Sequence, residues 1–185
     1  MNNTIKSLAL TGLLLPAVSN AQERFASRTG HVTFRSETPI ETIEANNHKA
    51  TSVYDPSTGA IEFAVLIKAF EFEKALMQEH FNENYMESST YPKAVFKGKM
   101  VGVTAAELKT PGKHDVTVEG ELTMHGVTNK VTNKATISVE PNGAMKAASD
   151  FIIKAEDYKI AIPSVVREQI AETIQVKVRI DYQKM

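Results

Sequence analysis

The chain has 185 residues, 42% of them hydrophobic and 23% charged, with a formal net charge of -1. That length and balance suit one globular domain with its own core, and exclude a disordered chain or a bundle of membrane helices. With no block of like charges, nothing pulls the chain toward nucleic acid or a membrane surface.

The first 21 residues stand apart. "MNNTIK" carries one lysine, "SLALTGLLLPAV" is an apolar run too short to span a bilayer, and "SNA" places small residues before a cut after Ala21. The segment 1–21 is expected to be a secretory signal peptide; the alternative, an uncut anchor, lacks a stop-transfer flank. Residues 22–185 are then a single mature domain with no internal linker, exported most simply to a bacterial periplasm. Cysteines are absent. An exported chain without disulfides relies on its core alone, and a thiol nucleophile, a Cys-ligated zinc and a lipid-modified cysteine are excluded.

Strand-length runs follow in chain order at about 35–36, 40–54, 59–69, 93–104, 114–125, 130–140, 144–154 and 172–183, read from period-two alternation. "DPSTG", "TPGKH", "HGVTN" and "EPNG" punctuate them as turns. In "IEFAVLIKA" one face is Ile61, Phe63, Val65 and Ile67; the other is only half polar and asks for partial cover. "AVFKGKMVGV" puts Ala94, Phe96, Gly98, Met100 and Gly102 in one row. "VTVEGELTM" aligns Val116, Val118, Gly120, Leu122 and Met124. "VTNKATISV" aligns Val131, Ala135, Ile137 and Val139, with Asn133 as the odd polar member. "FIIKA" turns Phe151 and Ile153 one way, and "TIQVKVRIDY" alternates cleanly through Ile174, Val176, Val178, Ile180 and Tyr182. Consecutive strands with short turns predict an eight-stranded, up-and-down antiparallel barrel, closed so that no edge is left bare. A β-sandwich is the alternative architecture.

One helix interrupts this pattern, at about 73–85 in "EKALMQEHFNENYMESSTYP". Leu76, Met77, His80, Phe81, Asn84 and Tyr85 share one face, and Gln78, Glu79, Asn82 and Glu83 the other. His80 with Asn84 one turn on is not a zinc pair, because the second position needs a histidine. His31, His48, His114 and His125 fall near turns or strand ends without ligand spacing. No G-x-S-x-G elbow or Gly-rich phosphate loop occurs. The residues carry no catalytic constellation and no metal site.

Three stretches in order carry a resemblance: "TGAIEFAVLIKAFEFEKALMQEHFNENYMESSTYPKAVFKG" (58–98), "VEGELTMHGVTNKV" (118–131) and "FIIKAEDYKIAIP" (151–163). They resemble the YceI-like proteins, bacterial periplasmic lipocalin-like barrels that bind polyisoprenoid lipids. Lys154 and Lys159 depart from the third stretch of the family pattern, and Arg24–Phe25 stand where the family often has a tryptophan. The resemblance implies a non-catalytic binder or carrier of a long apolar isoprenoid, of quinone or polyprenyl type, with no cofactor. The residues expected to line its site are Phe63, Val65, Ile67, Met77, His80, Phe81, Tyr85, Phe96, Met100, Leu122, Phe151, Ile153 and Val176. His80, Tyr85, Tyr91 and Tyr158 are the expected head-group contacts. Gly98, Gly102 and Gly120 on inward rows are expected beside an open lumen, with the helix covering an opening or a flank.

The expected partner is the isoprenoid lipid, with a homodimer as one option for assembly; nucleic acid and stable membrane insertion are not expected. Two other readings remain open at this point. One is an enzyme acting on a small apolar substrate, with His80 or His125 as base. The other is an interaction domain with a solid core.

Overall fold

A computed structural model describes residues 23–185, so the segment read as a signal peptide lies outside the described residues. Nine strands form: β1 (Phe25–Glu37), β2 (Thr42–Tyr54), β3 (Ala60–Leu66), β4 (Glu71–Phe72), β5 (Lys93–Val101), β6 (Gly112–Met124), β7 (Val127–Val139), β8 (Met145–Lys154) and β9 (Thr173–Lys184). Eight of them run β1-β9-β8-β7-β6-β5-β3-β2 around one antiparallel sheet, which β1–β2 pairing closes into a barrel. The expected architecture is present, and so are the inward rows named above except for Gly102, which lies outside β5. Their cause is the two-residue period, which sends alternate side chains to opposite faces.

The strand β1 is the main departure, because the sequence reading saw only its end. The strand runs 13 residues, but its register slips between Ser27 and Gly30, and β2 slips between Ala50 and Asn47. These opposed bulges break the alternation on both strands and sharpen the bend. The inward positions beside the bulges, Ser27 and Gly30, are small, so no apolar row announces them. The strands approach closely at Gly30: a Cβ there would lie 2.5 Å from Ile180 Cδ1 and 3.1 Å from the Ala50 carbonyl oxygen. The bulges also leave His31 and His48 stacked with ring centroids 4.2 Å apart, within strands and not near their ends.

The barrel has two unlike ends. At one, connections are short or compact: 55–59, 102–111 and 140–144. Gly59 and Gly143 supply positive φ there. Thr104 and Glu107 cap a 3-10 turn reciprocally, with Glu107 Oε2 accepting from the Thr104 amide at 2.8 Å and hydroxyl at 2.7 Å. Leu108 from this turn packs into a cluster with Phe25, Tyr54, Ile137, Val139, Met145 and Tyr182, and that end is filled.

At the other end two of the connections are long. Residues 67–92 leave the sheet after β3, rejoin it as β4 against Ala45 and Asn46 of β2, and then form the helix. Asn47 bridges the break, donating to the Leu66 carbonyl at 2.9 Å. Residues 155–172 wrap the same end with two 3-10 turns. They fill a split in the wall: β7 and β8 pair only from Ala135↔Ser149 to Val139↔Met145 and part beyond it. Asn129 Nδ2 on β7 donates to the Asp157 carbonyl at 2.7 Å, and His125 Nδ1 donates to the Tyr158 carbonyl at 3.0 Å. His125 and Gly126, both at positive φ, make the two-residue turn between β6 and β7. The outer face of β3 has no cover: Leu66 is 44% exposed.

The glycine reading needs correcting. Gly98 and Gly120 pair with each other across β5 and β6, and a Cβ on either would strike the ring tip of Phe96, at 2.6 and 2.9 Å. They make room for the Phe96 ring and for close strands, not for a lumen. Gly102 lies beyond the end of β5 at φ 96°.

Among the described residues no helix is long and apolar enough to cross a membrane.

Candidate functional site

The inward rows do not meet along the whole axis. Above the filled end they surround a cavity of about 520 Å³ that opens at the end with long connections, within the range of ~300–1,000 Å³ for small-molecule sites. Each of the 13 residues expected at the site faces this space. Phe63, Val65 and Ile67 come from β3 and the turn after it, Phe96 and Met100 from β5, Leu122 from β6, Phe151 and Ile153 from β8, and Val176 from β9. Met77, His80, Phe81 and Tyr85 reach it from the connection 67–92.

The regular α-helix is shorter than predicted; of the expected face, Leu76, Met77, His80, Phe81 and Tyr85 line the cavity, while burial extends to Gln78 and Asn82 on the side read as polar. The α-helix α1 spans Ala75–His80 and widens into a π turn over Phe81–Tyr85, closed by Met86 N donating to Phe81 O at 2.8 Å. Phe81 and Tyr85, four residues apart, both lie on the cavity side. The half-buried positions are Met77, Gln78, Phe81, Asn82 and Tyr85, whereas Leu76 is 61% exposed. Gln78 belongs inside because its Oε1 accepts from the Phe72 amide at 3.3 Å. His80 and Asn84 stand at the exposed rim, Asn84 Nδ2 donating to His80 Nδ1 at 3.0 Å. Burial raises the Tyr85 phenol above its ordinary value.

Phe81 is the centre of an aromatic group that the sequence reading missed. Its ring lies 5.2 Å from Phe34, 5.7 Å from Phe70 and 5.0 Å from Phe72, distances at which aromatic pairs attract. The "FEF" of residues 70–72 could have signalled two inward rings in a strand, but Phe34 was hidden with β1. The connection 155–172 adds Ala155, Ile160, Ile162, Val166 and Ile170, a second unread contribution without strand or helix period.

Polar groups are few and mostly satisfied. At the cavity floor Tyr182 donates its hydroxyl to Ser52 Oγ at 2.7 Å, and Ser52 donates to the Glu62 carbonyl at 3.0 Å. Burial pushes the Tyr182 phenol up to about 12. Ser149 Oγ donates to the Lys134 carbonyl at 2.8 Å. Glu41 and Lys74 form an ion pair of 3.6 Å, with Lys74 well exposed at the rim. Two expected head-group residues are elsewhere. Tyr158 is buried in the packing that closes the split between β7 and β8. Tyr91 lies over the β6–β7 turn, 4.8 Å from the His125 ring. Among the described residues, no group of three or more His, Asp or Glu side chains is placed to hold a metal ion.

The family described as "YceI-like domain" matches residues 15–182. Among curated proteins none matches the chain. Solved structures similar to it include a polyisoprenoid binding domain from Saccharophagus degradans implicated in plant cell wall breakdown, at 14% identity and TM-score 0.75, covering 89% of this chain and 99% of that one. BcnA of Burkholderia cenocepacia is similar at 16% identity and TM-score 0.69, over 83% and 96% of the two chains. The YCEI protein of Campylobacter jejuni is similar at 14% identity and TM-score 0.57, over 98% and 99%. At these identities the likeness is one of fold.

Proposed function

The chain belongs to the YceI-like family, and on that premise we propose that it binds and carries a long apolar isoprenoid lipid of quinone or polyprenyl type, without catalysis, in the bacterial periplasm. One observation carries this reading: the strands surround a cavity of about 520 Å³ walled by aliphatic and aromatic side chains, open at a mouth that Phe34, Phe70, Phe72 and Phe81 narrow. A solid-core interaction domain has no use for such a space. The polyisoprenoid binding domain with this fold supports the choice of ligand. The compartment is supported by the reading of residues 1–21 as a secretory signal peptide.

Burial of an isoprenoid from water is worth about 0.8 kcal/mol per CH₂. A lipid that rests in a membrane gains little of this on entering the barrel, because both environments are apolar. Exchange is then nearly balanced, as a carrier needs, and selectivity falls to the cavity's shape and its few polar groups. The non-catalytic reading is supported by where the ionisable groups lie. Among the described residues, and apart from tyrosines, the ionisable side chains that line the cavity are Glu41, Lys74 and His80, all from the connections at the mouth. His125, the other candidate base, does not face it.

The test is organic extraction of protein purified without delipidation, followed by mass spectrometry. An isoprenoid present in about one copy per barrel is the expected result. Phe63→Asp, which places a carboxylate among cavity-lining side chains, is expected to abolish loading while circular dichroism still reports the barrel. A lipid-free protein that also resists loading with isoprenoids in vitro would overturn the proposal.

A further inference from the structure

One inward residue contradicts the apolar wall. Asn133 sits on β7 opposite Val118 of β6, in the inward row with Val131, Ala135 and Ile137, and lines the cavity. It lies at mid-height, one inward position beyond Ala135↔Ser149, the last rung before β7 and β8 part. Asparagine is a poor strand former, and its amide brings two donors and a carbonyl acceptor. The other polar side chains that the barrel strands turn into this cavity have partners in the protein. Ser36 accepts from the Ala171 amide, Ser52 and Tyr182 bond each other, and Ser149 bonds the Lys134 carbonyl. Among the described residues the Asn133 amide has no hydrogen-bond partner.

We propose that Asn133 determines specificity by binding a neutral oxygen, a carbonyl or hydroxyl, on the ligand's head group, which therefore lies inside the barrel with the tail toward the mouth. This rests on the carrier reading and narrows it. A tail packed over Asn133 strips its amide of solvent and leaves it unpaired, a penalty that buried amides avoid. A ligand oxygen at that height removes the penalty. The head group must be uncharged, because Glu41, Lys74 and His80 are held at the mouth and nothing deeper could neutralise a phosphate. A quinone or an unphosphorylated polyprenol fits this requirement, and a polyprenyl phosphate does not.

The test uses the delipidated mature chain and three probes of matched tail: geranylgeranylacetone, the hydrocarbon with CH₂ in place of its carbonyl, and geranylgeranyl diphosphate. The ketone is expected to bind about tenfold more tightly than the hydrocarbon, and Asn133→Leu to erase that preference by weakening the first and strengthening the second. With a ¹³C-labelled carbonyl, the infrared stretch of the bound ketone is expected to fall in the unmodified chain. That measurement and the probe comparison stand even if the leucine variant fails to fold. Equal affinity for ketone and hydrocarbon, with an unshifted carbonyl, overturns the role of Asn133 and leaves the carrier reading intact. Tightest binding of the diphosphate overturns the neutral head group. Retention of no probe sinks the carrier reading, and this proposal with it.

Discussion

The two ends of the barrel are built from the same alternating strands and differ in what the connections add. At the filled end, compact turns bring Leu108 down onto Tyr54, Ile137, Met145 and Tyr182, and inward side chains touch one another. At the open end, two long connections bring Phe70, Phe72 and Phe81 against Phe34 of β1 and add Met77 and several aliphatic side chains. These stand around a space instead of filling it. A strand pattern therefore specifies a barrel, and its connections specify whether that barrel is a core or a container. Stability and binding should divide accordingly, the first residing mainly at the filled end and the second at the open one.

The strongest way to break this division is a pair of truncations. Ile137 is fully buried at the filled end, and Ile137→Ala is expected to cost about 2–5 kcal/mol of stability through the void it leaves. Phe81 is half-buried and borders the cavity, so it has fewer contacts to lose. Phe81→Ala is expected to cost less than half as much but to weaken lipid retention. Urea unfolding and lipid loading, measured on both variants, check the prediction. Equal losses of stability would mean that the open end is packed as tightly as the other.

A second prediction sharpens the chemistry of the filled end. Burial, with Asp55 adding to it, pushes the Tyr54 phenol up to about 12, and burial does the same for Tyr182. A phenol whose folded value is raised stays protonated more readily in the native state. Its contribution is complete below the ordinary value of 10.0 and is lost as pH rises through about 12. Stability should be level up to about pH 10 and fall steeply above it, as Tyr54 and Tyr182 both ionise on unfolding. Tyr182→Phe should lose about 1 kcal/mol at neutral pH with its bond to Ser52, and its alkaline decline should be shallower. Urea midpoints from pH 8 to 12 test this; an unchanged slope would show that Tyr182 does not carry it.

How much of this was legible follows from the same contrast. The rows of β3, β5, β6, β7, β8 and β9 could be read because alternation is a local property, and with them came the barrel and most of the cavity wall. Asn133 stood out for the same reason, as a polar residue where the period demands an apolar one. Strand β1 could not be read, because its bulge is a compensation for the opposed bulge in β2 and makes sense only in the pair. Phe34 was lost with it. The burial of Gln78 and Asn82 on the helix was equally hidden. For Gln78 it is set by the bond from the Phe72 amide, a contact between segments and not a property of the helix. The glycines misled because a missing side chain looks alike in sequence whether it makes room for a ligand or for a neighbouring Phe96 ring.

The smallest expected effect bears on the rim. His80 and Asn84 bond each other in solvent, and neither is held by the strands. His80→Ala removes an exposed partner of an exposed amide, so stability should move by less than about 0.5 kcal/mol. Loading should also change little, because on the reading above the head group sits deep, at Asn133, and passes the rim only on the way in. If His80→Ala weakened the ketone as much as Asn133→Leu, the head group would lie at the mouth, and the deep position would be wrong. If it left binding untouched but abolished conversion of a bound lipid into product, the barrel would be an enzyme with its catalytic group at the rim. The variant that should do least is thus the one able to separate a carrier from a catalyst.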